Sequence, residues 1–324
     1  MGFQANDGYV GFGRQTVQGT GVVPTIFGRY LTAEGNAENE FKQFREGGFA
    51  KEGSFAKKVG MIFPFSCSVY ARPDIAGLLA TMALGSDTIS GSGPYDHLIV
   101  PAALQWWSVE FERINHTLIE RLEDCKVTTL TITGSAGEFL ELAIEGQGLN
   151  IDASQSSATP SYEVDDILQF LHGSFVALGG AQAEIEEFTL TITNDIEFIQ
   201  AGELVYRQAV DKFIDVTLDM TIKATQADEY EKIYFGGAAG DAPDAAAEAG
   251  QVVLTFNNGL LTTEEREIVL TIDELTYLAA PLTGLMAEGD VYRYAVSGIA
   301  TNDGTNPLVQ IDVKNDTATA YDGA

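Results

Sequence analysis

Alternating apolar and polar residues mark two segments of the chain that lie 151 positions apart. Residues 63–85 and residues 214–236 align without a gap, and each opens with about nine alternating positions, the pattern of a strand with one buried face. The alternation then gives way to a helical stretch that ends at a glycine, Gly85 or Gly236, the residue type that commonly follows a helix. Pro73 lies where the first helix would begin, a position that tolerates its missing N–H. The pattern therefore predicts a strand and a short helix in each segment.

The similarity continues downstream of both segments. Residues 137–146 (GEFLELAIEG) match residues 289–298 (GDVYRYAVSG), and residues 124–134 resemble residues 273–284 with one extra residue. Another extended run precedes each of these hairpins; the two runs are QWWSVEFE (105–112) and QVVLTF (251–256). Both copies therefore have the order strand, short helix, strand, β-hairpin. Three matches in the same order indicate an internal duplication.

A polar stretch, LNIDASQSSATPS at residues 149–161, separates the two copies and indicates a linker or exposed loop. After it, apolar residues alternate with threonines in EFTLTITND, which marks the entry strand of the second copy. We therefore expect an N-terminal arm plus a first module in residues 1–160 and a second module in residues 161–324. Because few segments have a helical pattern, the chain should be mainly β, with one short flanking α-helix in each module.

The chain is strongly acidic. It has 47 Asp and Glu residues against 18 Lys and Arg residues, which gives a net charge of −29 at pH 7. Such a protein does not bind nucleic acid through the phosphates, because that mode of binding needs basic side chains, and it would repel DNA that passes close by. General solubility and adaptation to a salt-loving host would each produce the same bias.

Membrane and export signals are missing from the sequence. No run approaches the roughly 20 consecutive apolar residues of a membrane-spanning helix. The start, MGFQANDGYVGFG, has no basic region followed by an apolar core. We therefore expect a soluble protein that is made in the cytoplasm and has no membrane partner.

Residues that commonly carry chemistry are few and scattered. The three histidines, which form no HExxH motif and no i, i+4 pair, are His97, His116 and His172. His97 lies in a turn-like stretch and is expected to be a loop residue. Cys67 and Cys125 have no CxxC spacing, and Cys67, within an alternating strand, should be a buried thiol. GYVGFG at residues 8–13 lacks the strand–turn–helix surroundings of a dinucleotide site. We predict no catalytic site, no metal site and no cofactor.

Packing and turn patterns that are spread over nearly the whole chain carry a family resemblance. They are the opening NDGYVGFGRQT with TIFGRYL, the strand–helix ARPDIAGLLATMALG, the tryptophan strand ALQWWSVEFER, the hairpin DCKVTTLTITGSAGEFLELAIEGQG, and ALGG and EFTLTITND in the second half. Together they resemble the tail tube (major tail) proteins of long-tailed bacteriophages and related archaeal viruses. The resemblance implies tandem tail-tube-type β-sandwich or β-barrel modules in a structural virion protein.

The resemblance also implies an assembly. In that family six modules normally make a ring around a central channel, so a chain with two modules would close a homotrimer with pseudo-sixfold symmetry. A ring of six chains is the alternative. Stacked rings would form the tail tube through which viral DNA passes without specific binding. Tape measure, terminator and distal tail proteins would be partners at its ends, and the protein would reside in the virion tail. The alternatives are a baseplate ring, a capsid decoration or a surface-layer protein.

Polar residues opposite the apolar faces of the repeat strands are candidates for the channel wall. They are Ser66 and Ser68 in the first copy, Glu141 and Glu145 in its hairpin, and Asp215, Thr217 and Asp219 in the second copy. Like charge on such a wall would keep DNA moving. The alternative is that these rows face bulk solvent outside a barrel.

Two further stretches are candidates for contacts between rings or subunits. The N-terminal arm, residues 2–30, is rich in Gly, Phe, Val and Thr, and residues 34–58 mix charges with isolated phenylalanines. The candidate contact residues are Phe12, Phe27, Phe41, Phe44, Phe49 and Phe55. Both stretches are alternatively plain surface loops.

Overall fold

The computed structural model describes residues 8–44, 55–113, 117–163, 166–177, 180–181, 185–224, 228–236, 240, 242–243, 248–260, 265–283, 292–302 and 304–323. The strands within them are β1 (Val10–Gln15), β2 (Ile26–Gly28), β3 (Tyr30–Gly35), β4 (Glu38–Phe44), β5 (Phe55–Tyr70), β6 (Gly85–Gly91), β7 (Tyr95–Pro101), β8 (Trp106–Arg113), β9 (Leu118–Ser135), β10 (Glu141–Gly148), β11 (Asn150–Asp152), β12 (Gly173–Ala177), β13 (Gly180–Ala181), β14 (Ile185–Ile199), β15 (Gln208–Lys223), β16 (Ala249–Asn257), β17 (Glu267–Ala279), β18 (Leu282–Thr283), β19 (Arg293–Ala300) and β20 (Gln310–Asn315). The helices are α1 (Pro73–Leu84) and α2 (Asp228–Phe235), with one 3-10 turn at Phe170–His172. The described part of the chain is mainly β and has two α-helices, which confirms the predicted class.

Seven strands form one continuous antiparallel layer, which we call the front sheet. Its order is β3–β5–β10–β9–β14–β15–β19. The alternation that predicted these strands puts every second side chain on an inner face, where Ile144, Leu130, Leu190 and Leu218 are completely buried. Burial of such apolar surface is the main driving force for folding.

Two long strands, β9 and β17, connect the front sheet to a second set of strands. The first part of β9 pairs with β8 and β11, and β8 pairs with β1. The first part of β17 pairs with β16 and β20, and β20 pairs with β7. Apolar residues of the front sheet, α1 and this second set belong to one hydrophobic core.

The strand pairing repeats along the chain. In the first copy β5 pairs with β10, β10 with β9 and β9 with β8. In the second copy β15 pairs with β19, β19 with β17 and β17 with β16. The two halves therefore use one pairing scheme, as a duplication requires.

The two copies are joined through strands as well as through the linker. Strand β9 of the first copy pairs with β14 of the second, and β7 of the first pairs with β20 of the second. The linker itself holds β11 and then runs without regular structure from 153 to 161. The two predicted modules share one hydrophobic core. The boundary between them at residues 160 and 161 stays a prediction.

Helix α1 begins and ends as its sequence predicts. Pro73 occupies its first turn, and Gly85 adopts a left-handed conformation with φ 99° just past its end. The N-cap residue Arg72 makes no side-chain capping bond to the helix, and the Glu163 carboxylate accepts the Asp74 and Ile75 N–H groups at 2.9 and 3.1 Å. A carboxylate at this position also interacts favourably with the helix dipole.

The expectation that His97 is a loop residue is wrong. His97 lies in β7, is completely buried, and its Nδ1 is 2.8 Å from Asp87 Oδ2 while its Nε2 is 2.9 Å from the Thr317 carbonyl oxygen. Asp87 Oδ2 also accepts the Tyr321 N–H, and Asp322 accepts the Asp87 N–H. His97 therefore fastens the C-terminal residues 317–322 against β6 and β7. The glycines around it suggested a turn, but the turn lies before the strand.

Candidate functional site: a polar face on the front sheet

The seven residues predicted to line a channel lie on one face of the front sheet, in three consecutive cross-strand rows that we call the polar rows. The first row is Glu34, Ser66, Glu145, Thr129, Thr193 and Asp215. The second is Thr32, Ser68, Ala143, Thr131, Thr191, Thr217 and Ile299. The third is Tyr70, Glu141, Thr133, Thr189, Asp219 and Ser297. The predicted residues of both copies thus lie on a single surface.

Most of the predicted residues are accessible. Glu145, Asp215, Thr217 and Asp219 are exposed, and Ser66 and Glu141 are half-buried. Ser68 differs, because only 8% of it is exposed and its hydroxyl lies 2.7 Å from the Thr32 hydroxyl. The carboxylates are therefore the most prominent groups of the face.

The charge of the polar rows has one sign. They contain five carboxylates (Glu34, Glu141, Glu145, Asp215 and Asp219), many hydroxyls, and no Lys or Arg. A surface of this kind repels polyanions and offers no cation for a phosphate.

Threonines line the junction between the copies. Across β9 and β14, three pairs face each other at successive outward positions: Thr129 with Thr193, Thr131 with Thr191, and Thr133 with Thr189. Threonine favours strands, and facing hydroxyl residues stabilise a sheet. The two copies thus meet in a neutral, hydroxyl-rich strip between the acidic residues on either side.

Buried polar contacts also hold this junction. Lys126 Nζ lies 2.6 Å from Asp211 Oδ1 and 4.4 Å from the centre of the Trp106 ring. Asn194 Nδ2 donates to the carbonyl oxygens of Ala83 and Val127 at 2.9 and 3.1 Å. Sequence reasoning missed these residues. The sequence does contain a hint at Asn194, because a polar residue there interrupts the alternating apolar positions of β14. Nothing in the sequence around Asp211 indicates a buried contact.

Two of the six phenylalanines predicted to contact other subunits serve the chain's own core. Phe12 is completely buried, Phe27 is 7% exposed, and the Tyr9 ring meets Phe27 edge-on at 5.3 Å. The arm that carries them pairs with β8 through β1. This corrects the expectation that the arm presents these rings to a neighbouring subunit.

Three other phenylalanines lie on an exposed hairpin formed by β4 and the first part of β5. Phe41, Phe44 and Phe55 are 60%, 41% and 42% exposed. The Phe44 and Phe55 rings stack at 5.5 Å. Phe49 lies outside the described residues. Exposed aromatics of this kind are typical of contact surfaces.

The described residues offer little for catalysis. A cavity of about 600 Å³ beside the start of α1 contains Asp74, Glu163 and Arg14, but Glu163 caps the helix and Asp74 accepts the Thr317 hydroxyl at 2.9 Å. Burial raises the pKa of the Cys67 thiol to about 12, so it stays protonated. Within the described ranges no three His, Cys, Asp or Glu residues cluster as metal ligands.

The fold and the site define an antiparallel β-sheet protein whose strand pairing repeats and whose front sheet has an acidic, hydroxyl-rich face. The chain belongs to the phage tail tube protein family, whose sequence model matches residues 5–291. It is therefore a structural protein of the virion tail. No curated protein matches the chain. Among the described helices, none is long and apolar enough to cross a membrane.

Proposed function

We propose that three copies of the chain close a ring with pseudo-sixfold symmetry, that rings stack into the tail tube, and that the polar rows face its lumen. The observation that carries the proposal is the continuity of the polar rows across both copies, since a duplicated sheet in a closed ring would extend one face around the whole channel. The absence of Lys and Arg from three successive rows suits a wall along which a polyanion passes.

The charge of the polar rows suits the passage of DNA. Each basic side chain that neutralises a duplex phosphate strengthens the binding of DNA to the protein through counterion release. Such contacts would slow a genome in transit. Carboxylates and hydroxyls offer no such contact. Viral DNA would thus pass through the lumen without specific binding, and tape measure, terminator and distal tail proteins would bind at the ends of the tube.

Stacking of rings would use the exposed hairpin of β4 and β5. Phe41, Phe44 and Phe55 would be buried against the next ring, where aromatic side chains contribute strongly to binding. Changing all three to Ser should leave single rings intact and abolish tubes in negative-stain electron micrographs. Tubes of normal length from that variant would contradict this role.

The lumen assignment is tested by charge reversal. We expect the variant E141K/E145K/D215K/D219K to assemble but to retain duplex DNA in a salt-dependent way, and a virus that carries it to eject poorly. The matched control, E138K/D166K/D195K/E197K, reverses four exposed carboxylates outside the polar rows and should eject normally. Normal infectivity of the first variant would contradict the lumen assignment. A failure of the wild-type protein to form any ring or tube would contradict the proposed function.

A further inference from the structure

The cavity beside the start of α1 lies where distant segments of the chain meet. It has a volume of about 600 Å³ and is lined by residues of β1, β2, β8 and the first turn of α1, together with residues from 161–163 and 317–323. Cavities of this size commonly hold small organic molecules. Glu163 and Asp74 already serve the helix and Thr317, so the remaining polar groups decide what the cavity can bind.

The floor of the cavity is the antiparallel pair of β1 and β8, in which Arg14 faces Trp107. Side chains at facing positions lie on the same side of a sheet, with Cβ atoms about 5 Å apart, and both of these side chains line the cavity. Phe12, two positions before Arg14, lines it as well. A guanidinium and an indole N–H are therefore neighbours on an aromatic floor.

Both of these groups lack an acceptor. Trp107 is 1% exposed, and its buried Nε1 has no hydrogen-bond partner within the described ranges. The buried Nε of Arg14 has none there either. The one hydrogen bond from the Arg14 guanidinium to a described residue is long, at 3.4 Å from Nη2 to Gln105 Oε1. Because buried donors without an acceptor are costly, they indicate a missing partner.

Two neighbouring donors, one of them charged, suit a carboxylate. A carboxylate has room for several hydrogen bonds, so it can accept from Nε and one Nη of a guanidinium and from an indole N–H at the same time. Asp74 and Glu163 line the same cavity. They would repel a doubly charged phosphate more strongly than a carboxylate, which has a single charge.

The remaining walls determine what the carboxylate is attached to. Their apolar and aromatic side chains belong to Phe12, Phe27, Ile75, Tyr162 and Tyr321, and all of these except Tyr162 are buried. Walls of this kind, with a few polar groups that fix orientation, are typical of sites for small organic ligands. An apolar body of the ligand would gain by leaving water for such a surface.

From this arrangement we infer that the cavity binds a small carboxylate with an apolar body, whose carboxylate lies between Arg14 and Trp107. The ligand would enter past Thr25 and Thr319, which line the cavity and are exposed. It would join the N-terminal arm to α1 and to the C-terminal residues. The site lies within one chain, so it goes beyond the proposed ring and does not depend on it.

Titration of the unassembled chain with benzoate, followed by NMR, tests the site. The chain has two tryptophans, Trp106 and Trp107, and the variant W106F assigns their two indole N–H signals. Benzoate should shift the Trp107 signal in a saturable way, with a dissociation constant on the order of 1 mM, and leave the Trp106 signal in place. Benzamide, which has no charge, and acetate, which has no ring, should each bind roughly tenfold more weakly.

A variant of the cation gives the second measurement. R14Q should weaken benzoate binding by roughly tenfold or more and keep a melting temperature near that of the wild type without ligand. The control R207Q removes an exposed arginine that pairs with Glu203, and it should leave the affinity unchanged. Equal benzoate affinities of R14Q and the wild type would overturn the role of Arg14.

The wild-type titrations decide the inference even if R14Q does not fold. A Trp107 signal that does not move with benzoate would overturn the site. A signal that moves equally with benzoate and benzamide would overturn the assignment of a carboxylate ligand. Tighter binding of inorganic phosphate than of benzoate would likewise contradict the argument from Asp74 and Glu163.

Discussion

The two helices occupy equivalent positions in the repeat but lie in different surroundings. In α1 eleven of twelve residues are buried, and the sequence PDIAGLLATMAL has one charge. In α2 the sequence DEYEKIYF has four charges, and the residues from Tyr230 to Phe235 are half-buried. The two helices differ in burial because different segments cover them. The C-terminal residues cover α1, where Asn315 Nδ2 reaches the Pro73 carbonyl oxygen and the Tyr321 ring packs so closely over Gly77 that a Cβ there would lie 2.6 Å from it.

The comparison shows that burial of a helix in this repeat depends on strands contributed by the other copy. Strand β20 of the second copy pairs with β7 of the first and brings the chain end over α1. In the order of the sequence, β6 and β7 follow the helix of the first copy, whereas β16 is the next described strand after α2 in the second copy. One ancestral segment can therefore become a core helix or a half-exposed helix according to its neighbours.

The largest difference between the copies should appear when equivalent helix residues are truncated. Met82 is completely buried, and its counterpart Ile233, 151 positions later, is half-buried. We expect M82A to lower the free energy of unfolding by about 2–5 kcal/mol, because it leaves a cavity in the core. The variant I233A should cost about 1 kcal/mol, since much of its side chain already contacts water. Equal effects in chemical denaturation would refute the contrast.

A smaller effect is expected at the junction. Lys126 is 5% exposed and its partner Asp211 is 31% exposed, while the equivalent positions of the repeat, in β17 and β5, hold Thr276 and Gly60. The variant D211N should cost on the order of 2 kcal/mol, because it leaves a buried cation without its carboxylate. The control E197Q removes the partner of the exposed Lys212 and should change stability little. A neutral D211N would show that the ion pair does not hold the copies together.

The smallest effect concerns the contact of His97 with Asp87 and the Thr317 carbonyl oxygen, which holds the C-terminal residues over α1. This effect depends on pH. Burial lowers the pKa of His97, but the hydrogen bond and charge of Asp87, the Thr317 carbonyl and the charge of Asp74 outweigh burial and raise the pKa above its ordinary value of 6.5. A raised pKa in the folded state means that His97 contributes stability below its unfolded pKa, and this contribution is lost as pH rises through the folded value.

The measurement is a pH series of unfolding free energies. The wild type should lose stability above about pH 6.5, and H97Q should lack this loss because its side chain does not titrate. Partial proteolysis should release the C-terminal residues of the wild type first at high pH. Identical pH profiles for the two proteins would show that the His97–Asp87 pair does not secure the chain end.

Local patterns predicted the longer strands, β5, β8–β10, β14–β17 and β19, because each needs only one buried face. The runs around Phe63 and Ile214 and the hairpin 137–146 formed where the alternation placed them, and the repeat in the sequence is a repeat of strand pairing. The seven polar residues also share a face. Side chains alternate between the two faces of a sheet with a period of two residues, so the pairing of the strands determines which side chains lie on the same face. The orientation of that face toward a lumen stays a prediction.

Contacts between distant segments could not be predicted. His97 binds Asp87 and a carbonyl 220 positions away, and nothing near it in the sequence indicates that partner. Phe12 and Phe27 looked like exposed aromatics because the pairing of β1 with β8 is not visible in either segment. Asp211 likewise becomes a junction residue only when β15 approaches Lys126.

Because β9 and β14 belong to one polypeptide, their pairing is a unimolecular event. Linked partners meet at an effective concentration that is independent of how much protein a cell contains, so dilution does not separate β9 from β14. Fusion also lets each half mutate by itself. A Lys–Asp pair can then evolve at the linked junction while the equivalent positions of the repeat keep the uncharged residues Thr276 and Gly60.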